Sequence, residues 1–256
     1  DIMDKALVGW LDGAIQNGTV VEGAYLYQGS TALTATDMEF TSAMFFDVDD
    51  ASIEYQKQWP ALNSVKGIVV VDHLTQVLAE KASLLETTMH HVAVEYDILT
   101  DVINVDSDLT GPVQDIEYLL KNTPLKNELS GDIQEFDAKG ELTGSLALAI
   151  PLDENDVSVK AEFAIQRGHL VMPRLDLSLS DIEGQFNLDS DHGVDAKAVT
   201  ARFLNSPFTI DIQANRNKDS VPDSLIQFDG NISAETLKSW RDSPWFSYVD
   251  GETMLA

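Results

Sequence analysis

The segment that most constrains the fold of this chain runs from Gly140 to Ile165 and reads GELTGSLALAIPLDENDVSVKAEFAI. On each side of its turn-like DEND portion, apolar side chains alternate with polar or small ones. A period of two indicates β-strands with one apolar face. Because a sheet must bury its apolar face against something, the function of the chain depends on what that face contacts.

The same pattern continues along the chain, which is therefore predicted to be mainly β. Three further segments alternate apolar and polar residues, namely Val92 to Ile98, Leu175 to Leu179 and Phe208 to Ile212. Strand-like segments rich in aromatic and β-branched residues fill Thr19 to Tyr55, and Gly67 to Val71 adds another strand. A dozen or more strands are expected.

Turn residues and proline predict where the early strands end. Gly29-Ser30 and Asp49-Asp50 are predicted turns. Trp59-Pro60 interrupts the pattern because proline has no N–H to donate to a neighbouring strand. The run from Leu74 to Leu85 is ambiguous between helix and strand.

Three short amphipathic helices are predicted. The first places apolar residues from Ile2 to Ile15 at helical spacing and ends at Asn17-Gly18. The second begins just after Pro112 and ends before Pro124. The third runs from Ala234 to about Arg241, with Ser233 as its N-cap.

Charge and composition exclude several functions. The 43 acidic and 16 basic residues give a formal charge of -27, which repels nucleic acids and anionic lipid headgroups. The absence of cysteine excludes disulfides, zinc-thiolate sites and thiol nucleophiles. No apolar run approaches the roughly 18 to 20 residues that span a bilayer. The chain is expected to be a soluble piece of a longer protein.

The residue patterns predict neither an enzyme nor a metal or cofactor site. The five histidines lie outside metal-ligand and nucleophile motifs: His73, His90, His91, His169 and His192. The acidic runs DVDD from Asp47 and DSDHG from Asp189 lack the full ligand series of a calcium loop, so solvated turns are predicted there.

Three short helices are too few to cover a sheet of a dozen strands. The apolar faces are therefore covered in one of two ways. Two sheets face each other in a sandwich or closed structure, or one strongly curved sheet leaves an apolar groove. Periodicity alone does not separate these alternatives.

The chain resembles the AsmA-like superfamily, and within it the YhdP family. The landmarks are LVGWLDGAIQNGTVVEGAYLYQG from Leu7, IEYQKQWPALNSVKGIVVV from Ile53, LLKNTPLKNELSG from Leu119 and LTGSLALAIPL from Leu142. The resemblance implies a long, curved, mostly antiparallel sheet folded into a groove. It also implies a large periplasmic protein of Gram-negative bacteria, anchored in the inner membrane.

The function that this resemblance implies is a segment of a bridge that carries phospholipid between inner and outer membranes along an apolar β-groove. Its partners are then phospholipid acyl chains and flanking segments of the same longer chain. The alternative is a β-sandwich interaction module of a cell-envelope protein, with no lipid cargo.

The expected division is a helix-capped β segment over residues 1–110, a second segment over 111–232 opened by a short helix, and the start of the next repeat over 233–256. A weak repeat supports this division, because the segments after the second and third helices share the same proline-to-glycine spacing (Pro124 to Gly131 and Pro244 to Gly251). Together the segments are expected to form one continuous β-groove.

Thirteen apolar residues on the alternating strands are predicted to line the groove. They are Leu146, Leu148, Ile150, Val157, Val159, Phe163, Leu175, Leu177, Leu179, Phe208, Ile210, Ile212 and Phe228. Ordinary core packing is the competing interpretation of each. Under the groove hypothesis, a charge at Leu148 or Ile210 blocks transport and leaves the fold intact.

Overall fold

The structure is a computed structural model of the chain. It describes residues 12–30, 40–55, 58–72, 75–97, 100–123, 136–151, 157–215, 223–240 and 252–255. Most of the first predicted helix and both copies of the proline-to-glycine repeat lie outside the described residues. The predicted division into three segments stays a prediction.

The described residues are mainly strand. The first six strands are β1 (Ile15–Gly29), β2 (Phe40–Ile53), β3 (Leu62–Val71), β4 (Thr75–Leu84), β5 (Thr87–Asp97) and β6 (Val102–Pro112). The others are β7 (Asp137–Pro151), β8 (Ser158–Met172), β9 (Leu177–Asp189), β10 (Gly193–Phe203), β11 (Ser206–Asn215), β12 (Asp223–Ser233) and β13 (Glu252–Leu255). The ambiguous run after Leu74 is therefore strand β4.

Among the described residues, two α-helices connect strands of this series. Helix α1 (Val113–Asn122) begins directly after Pro112, as predicted, because proline fits the start of a helix and needs no N–H there. Helix α2 (Ala234–Trp240) begins after Ser233, whose Oγ accepts a hydrogen bond of 3.2 Å from the Thr236 backbone N–H. This bond confirms Ser233 as the N-cap.

The strands pair in chain order, from β1 at one end of the sheet to β13 at the other. Every pairing with a defined register is antiparallel. The predicted mainly β, antiparallel fold with few short helices is thus confirmed. Two separate sheets facing each other, as in a sandwich, are not seen among the described strands.

The chain divides into two compact units. Unit 1 comprises Asp1–Thr110 and Ser145–Val159, and unit 2 comprises Gly111–Gly144 and Lys160–Ala256. The core of unit 1 includes Ala82, Met89 and Val92. Unit 2 has two cores, a larger one beside α2 and a smaller one beside α1.

Three sequence predictions are wrong in detail, and the first concerns the start of the chain. Residues 12–14 are helical, but β1 begins at Ile15, so Asn17 and Gly18 lie in a strand and do not stop a helix. The reason is pairing with β2: Ile15 is opposite Ile53, and the Glu54 N–H donates to the Ala14 carbonyl at 2.7 Å.

The second concerns Asp49-Asp50, a predicted turn that instead lies within the continuous strand β2. Asp50 has a left-handed φ of 51°, and the register with β3 shifts between Val48 and Ala51. These features define a β-bulge. A left-handed aspartate occurs in turns as well as in bulges, but at a bulge the strand continues.

The third concerns Leu175, predicted to alternate with Leu177 and Leu179 in one strand. It lies in a 3₁₀ turn (Pro173–Leu175), and its side chain is 46% exposed. Asp176 follows in a left-handed conformation with φ 53°, so the strand begins only at Leu177. Proline at the first position of the turn favours this break over a continuous strand.

Candidate functional site

An apolar row crosses five neighbouring strands of unit 2. Direct register partners, in order from β8 to β12, are Phe163, Phe186, Ala196, Ile212 and Ile226. At about 4.8 Å between strands, the row is about 19 Å wide. We call it the open row, because every member except Ala196 is only partly buried or exposed.

Aromatic stacking gives the open row a defined surface. The rings of Phe163 and Phe186 are stacked, with centroids 5.5 Å apart and planes within 11°. Ile226, at the other end of the row, is 50% exposed. The row therefore offers apolar contact area that the described residues do not cover fully.

Burial rises along the same face away from the open row. On β12, the exposed fraction falls from 50% at Ile226, through the partly buried Phe228, to 1% at Ile232. On β11 it falls from the partly buried Ile212 to 5% at Ile210 and 4% at Phe208. One continuous apolar face thus has an open end and a closed end.

Helix α2 lies at the closed end. Leu237 of α2 is buried in the larger core of unit 2, and Trp240 packs against the same core. The Trp240 ring meets Phe203 edge to face at 5.0 Å between centroids. Its Nε1–H donates a hydrogen bond of 2.6 Å to the Asp176 carbonyl, just after the 3₁₀ turn. Two distant segments thereby hold α2 on the sheet.

Unit 1 carries a comparable row across six strands. Its members, in register from β1 to β6, are Gly23, Phe46, Val69, Val77, Val94 and Val105. We call it the valine row. Val105 belongs to the core of unit 1, whereas Phe46, Val69, Val77 and Val94 are partly buried. This row also presents apolar surface that its own unit leaves partly open.

The structure separates the thirteen predicted lining residues by burial. Four are fully buried: Val159, Leu179, Phe208 and Ile210. Eight are partly buried: Leu146, Leu148, Ile150, Val157, Phe163, Leu177, Ile212 and Phe228. Leu175 alone among the thirteen is exposed and off the strands.

These residues are not brought to a single place. Leu146, Leu148 and Ile150 pack against the core of unit 1. Leu177, Ile212 and Phe228 pack against the core beside α2 in unit 2.

Sequence reasoning missed several members of both rows. The predicted lining did not include Phe186 and Ile226 of the open row, or Phe46, Val69 and Val77 of the valine row. The signal was present, because Val69 and Val77 stand in apolar strand segments, but only register shows that they are neighbours. Antiparallel register depends on turns and bulges, which composition locates poorly.

Two of the described histidines pair with nearby aspartates. His91 Nδ1 lies 2.9 Å from Asp108 Oδ2 at an exposed site, and His192 Nδ1 lies 3.0 Å from Asp189 Oδ1 in the β9–β10 turn. Within the described ranges, no cluster of three or more potential metal ligands occurs. His73 lies outside those ranges.

Asp189 has a perturbed ionisation. Burial acts to raise its pKa, but three groups favour the carboxylate: the Asp191 backbone N–H, His192 and Lys160. Together they outweigh burial and hold the pKa of Asp189 below its usual value. The Asp191 backbone hydrogen bond and the neighbouring charges account for this shift without a catalytic role.

The fold and its two rows define a class: a mainly antiparallel β protein in which each unit carries an apolar row that the described helices cover only in part. The sequence profile described as "YhdP protein" matches residues 1–256, and the chain belongs to this family. This finding confirms the resemblance drawn from the sequence.

A curated relative is the protein named "Intermembrane phospholipid transporter YhdP" of Escherichia coli strain K12. It is 27% identical over 217 residues, which cover 82% of this chain and 17% of the relative. The chain therefore corresponds to under a fifth of the length of that relative. No solved structure matches the chain. In the part of the chain that the structure describes, no helix is long and apolar enough to cross a membrane.

Proposed function

We propose that this chain is a segment of a periplasm-spanning bridge that carries phospholipid between the inner and outer membranes. Acyl chains lie against the apolar face of the sheet, and flanking segments of the same longer, membrane-anchored protein continue that face. The observation that carries the proposal is the open row, where five strands present adjacent apolar side chains that unit 2 leaves partly open.

The energetics of lipid movement favour such a surface. Moving an acyl chain of about 16 carbons through water costs on the order of 12 kcal/mol, at about 0.8 kcal/mol per methylene. A face that stays apolar from strand to strand lowers this barrier without a catalytic group. The name of the Escherichia coli relative supports phospholipid as the cargo.

The charge of the chain constrains how a phospholipid lies on it. With a net charge of -27, the surface repels anionic headgroups, so headgroups stay in solvent and only acyl chains contact the apolar rows. The proposed lining consists of Ile226 and the partly buried members of both rows, together with Leu146, Leu148, Ile150, Val157, Leu177 and Phe228. The four fully buried residues and Leu175 are left out.

Lipid content tests the proposal. The purified chain is extracted with organic solvent, before and after incubation with phosphatidylethanolamine vesicles, and the extract is measured by mass spectrometry. Phospholipid is expected in the extract. Ile212→Asp is expected to lower its amount about tenfold, since a charge facing the acyl chain easily costs about 1.4 kcal/mol.

The matched control is Gln213→Asp, which places the same charge on the next residue of β11, an exposed position on the other face. It should leave the lipid content unchanged. A lipid-free wild-type chain after vesicle incubation, or equal losses in both variants, would contradict the proposal. A wild-type chain without lipid would instead favour an interaction module.

A further inference from the structure

Helix α2 packs over one end of the apolar face of unit 2. From Ile226 to Ile232 the face extends about 20 Å along β12, at about 3.4 Å per residue. Only the part near the open row is partly exposed, whereas Ile232, Phe208 and Ile210 are buried. Acyl methylenes cannot displace the packed side chains of the closed part, so that part of the face contributes no binding free energy.

The closing of this end depends on α2. The helix has seven residues, too few for independent stability, so contacts with the sheet hold it in place. Those contacts are the buried Leu237, the edge-to-face packing of Trp240 on Phe203, and the Trp240 hydrogen bond to the Asp176 carbonyl. Leu237 is the α2 side chain most deeply inserted into the large core of unit 2 among those described.

We infer that α2 is a stop that sets the length of acyl chain that unit 2 binds, and that Leu237 and Trp240 determine this specificity. The inference rests on the proposed function and adds a property to it. Acyl chains enter over the open row, run along the strands and end against the side chains that α2 holds in place. Phospholipids whose acyl chains exceed the open part of the face leave methylenes in water and bind less well.

Removing the stop should lengthen the preferred chain. Leu237→Ala takes away the inserted side chain, and Trp240→Ala removes both the ring packing and the hydrogen bond. Each additional methylene that becomes buried favours binding by about fourfold. Because Trp240→Phe loses the hydrogen bond but keeps an aromatic ring on Phe203, we expect it to shift the preference less than Trp240→Ala does.

The experiment is a competition among defined lipids. The 256-residue chain is incubated with vesicles that contain equal amounts of phosphatidylethanolamines with acyl chains of different lengths, repurified and extracted, and the bound chain lengths are measured by mass spectrometry. Leu237→Ala and Trp240→Ala are expected to move the bound distribution towards longer chains. The matched control is Tyr118→Ala on α1, where an exposed ring is removed from the other helix of unit 2; it should change nothing.

A variant with the opposite expected shift in acyl-chain length keeps the test valid if the α2 variants do not fold. Ile212→Phe adds bulk in the open row and should shift the bound lipids towards shorter chains. If the folded variants, checked by circular dichroism, all keep the wild-type length distribution, the stop does not exist, although the proposed function stands. If the wild-type chain binds no lipid, the proposed function fails, and the inference fails with it.

Discussion

Ile210 and Ile212 lie two residues apart on the same face of β11, yet Ile210 is 5% exposed and Ile212 is only partly buried. Both are isoleucines in one alternating strand, with apolar register partners on β12. The difference lies in what covers them, because α2 and its core cover one end of the face and leave the other end partly open. Strand periodicity therefore encodes the face but not its exposure.

The largest expected difference in stability is between a charge introduced at Ile210 and the same charge introduced at Ile212. Ile210→Asp should unfold unit 2 or lower its stability by more than about 4 kcal/mol, because it removes core packing and buries an unpaired carboxylate. Ile212→Asp should retain the fold, since its carboxylate reaches water at the open row. Urea denaturation followed by circular dichroism measures both.

This expectation replaces the one drawn from the sequence, in which a charge at Ile210 left the fold intact. Equal destabilisation by the two aspartates would break the comparison, because it would mean that Ile212 is core as well. A stable Ile210→Asp variant would also contradict the comparison, because it would mean that Ile210 is not part of the core.

Truncation of two phenylalanines should give the next largest difference. Phe208 is 4% exposed and packs near Phe203, with ring centroids 6.1 Å apart, whereas Phe163 lies partly buried on the open row. Phe208→Ala should cost about 3–5 kcal/mol because it leaves a cavity in the core. Phe163→Ala should cost about half as much, since solvent or lipid fills the space.

The measurement is again the free energy of unfolding, with and without phosphatidylethanolamine vesicles. Only the Phe163→Ala variant should differ from wild type in how much the vesicles raise stability, because the proposed lining includes Phe163 and leaves out Phe208. A vesicle effect that is altered in Phe208→Ala and unchanged in Phe163→Ala would reverse the assignment of the two ends.

Local rules explain what could be predicted from the sequence. Pro112 placed the start of α1 correctly, since proline favours the first turn of a helix. Ser233 placed the start of α2 correctly, because its hydroxyl caps the Thr236 N–H. Alternation identified the strands around Gly140 to Ile165, apart from their DEND turn, which lies outside the described residues.

Non-local contacts explain what could not be predicted. Asp50 adopts a left-handed conformation in a bulge of β2. Because aspartate also favours turns, the residue type alone does not separate a bulge from a turn, and pairing with β3 decides it. The open row joins Phe163 to Ile226 across 63 positions of sequence through four registers. Its exposure depends on which parts of the face other elements cover, and periodicity within β11 does not report this.

A weaker N-terminus of α2 should give a smaller effect on stability than the core substitutions, and it tests whether α2 covers the closed end of the face. Ser233→Ala removes the side-chain cap on the Thr236 N–H and should lower stability by about 1 kcal/mol. Because α2 closes one end of the face, the same variant should also bring the bound acyl chains slightly towards greater length. Ser233→Asn, which retains capping ability, should restore both properties.

The smallest effect is expected at the edge of the open end, where Asp189 ends β9 opposite Lys160. The carboxylate accepts a hydrogen bond of 2.9 Å from the Asp191 N–H and pairs with His192, and its pKa lies below the usual value. A pKa that is lower in the folded chain stabilises the fold above the unfolded value of about 3.9, and this stabilisation is lost as the pH falls through the folded value.

Asp189→Asn should therefore lower stability at pH 7 by no more than about 0.5 kcal/mol, because the pair is solvent-exposed and screened. The difference between wild type and variant should shrink as the pH falls below the unfolded pKa of about 3.9 and through the lower pKa of the folded Asp189 carboxyl. Urea midpoints at the two pH values measure it. Since Asp189 lies beyond the apolar row, lipid binding should not change; a loss of bound lipid in this variant would extend the site from the apolar face to its charged rim.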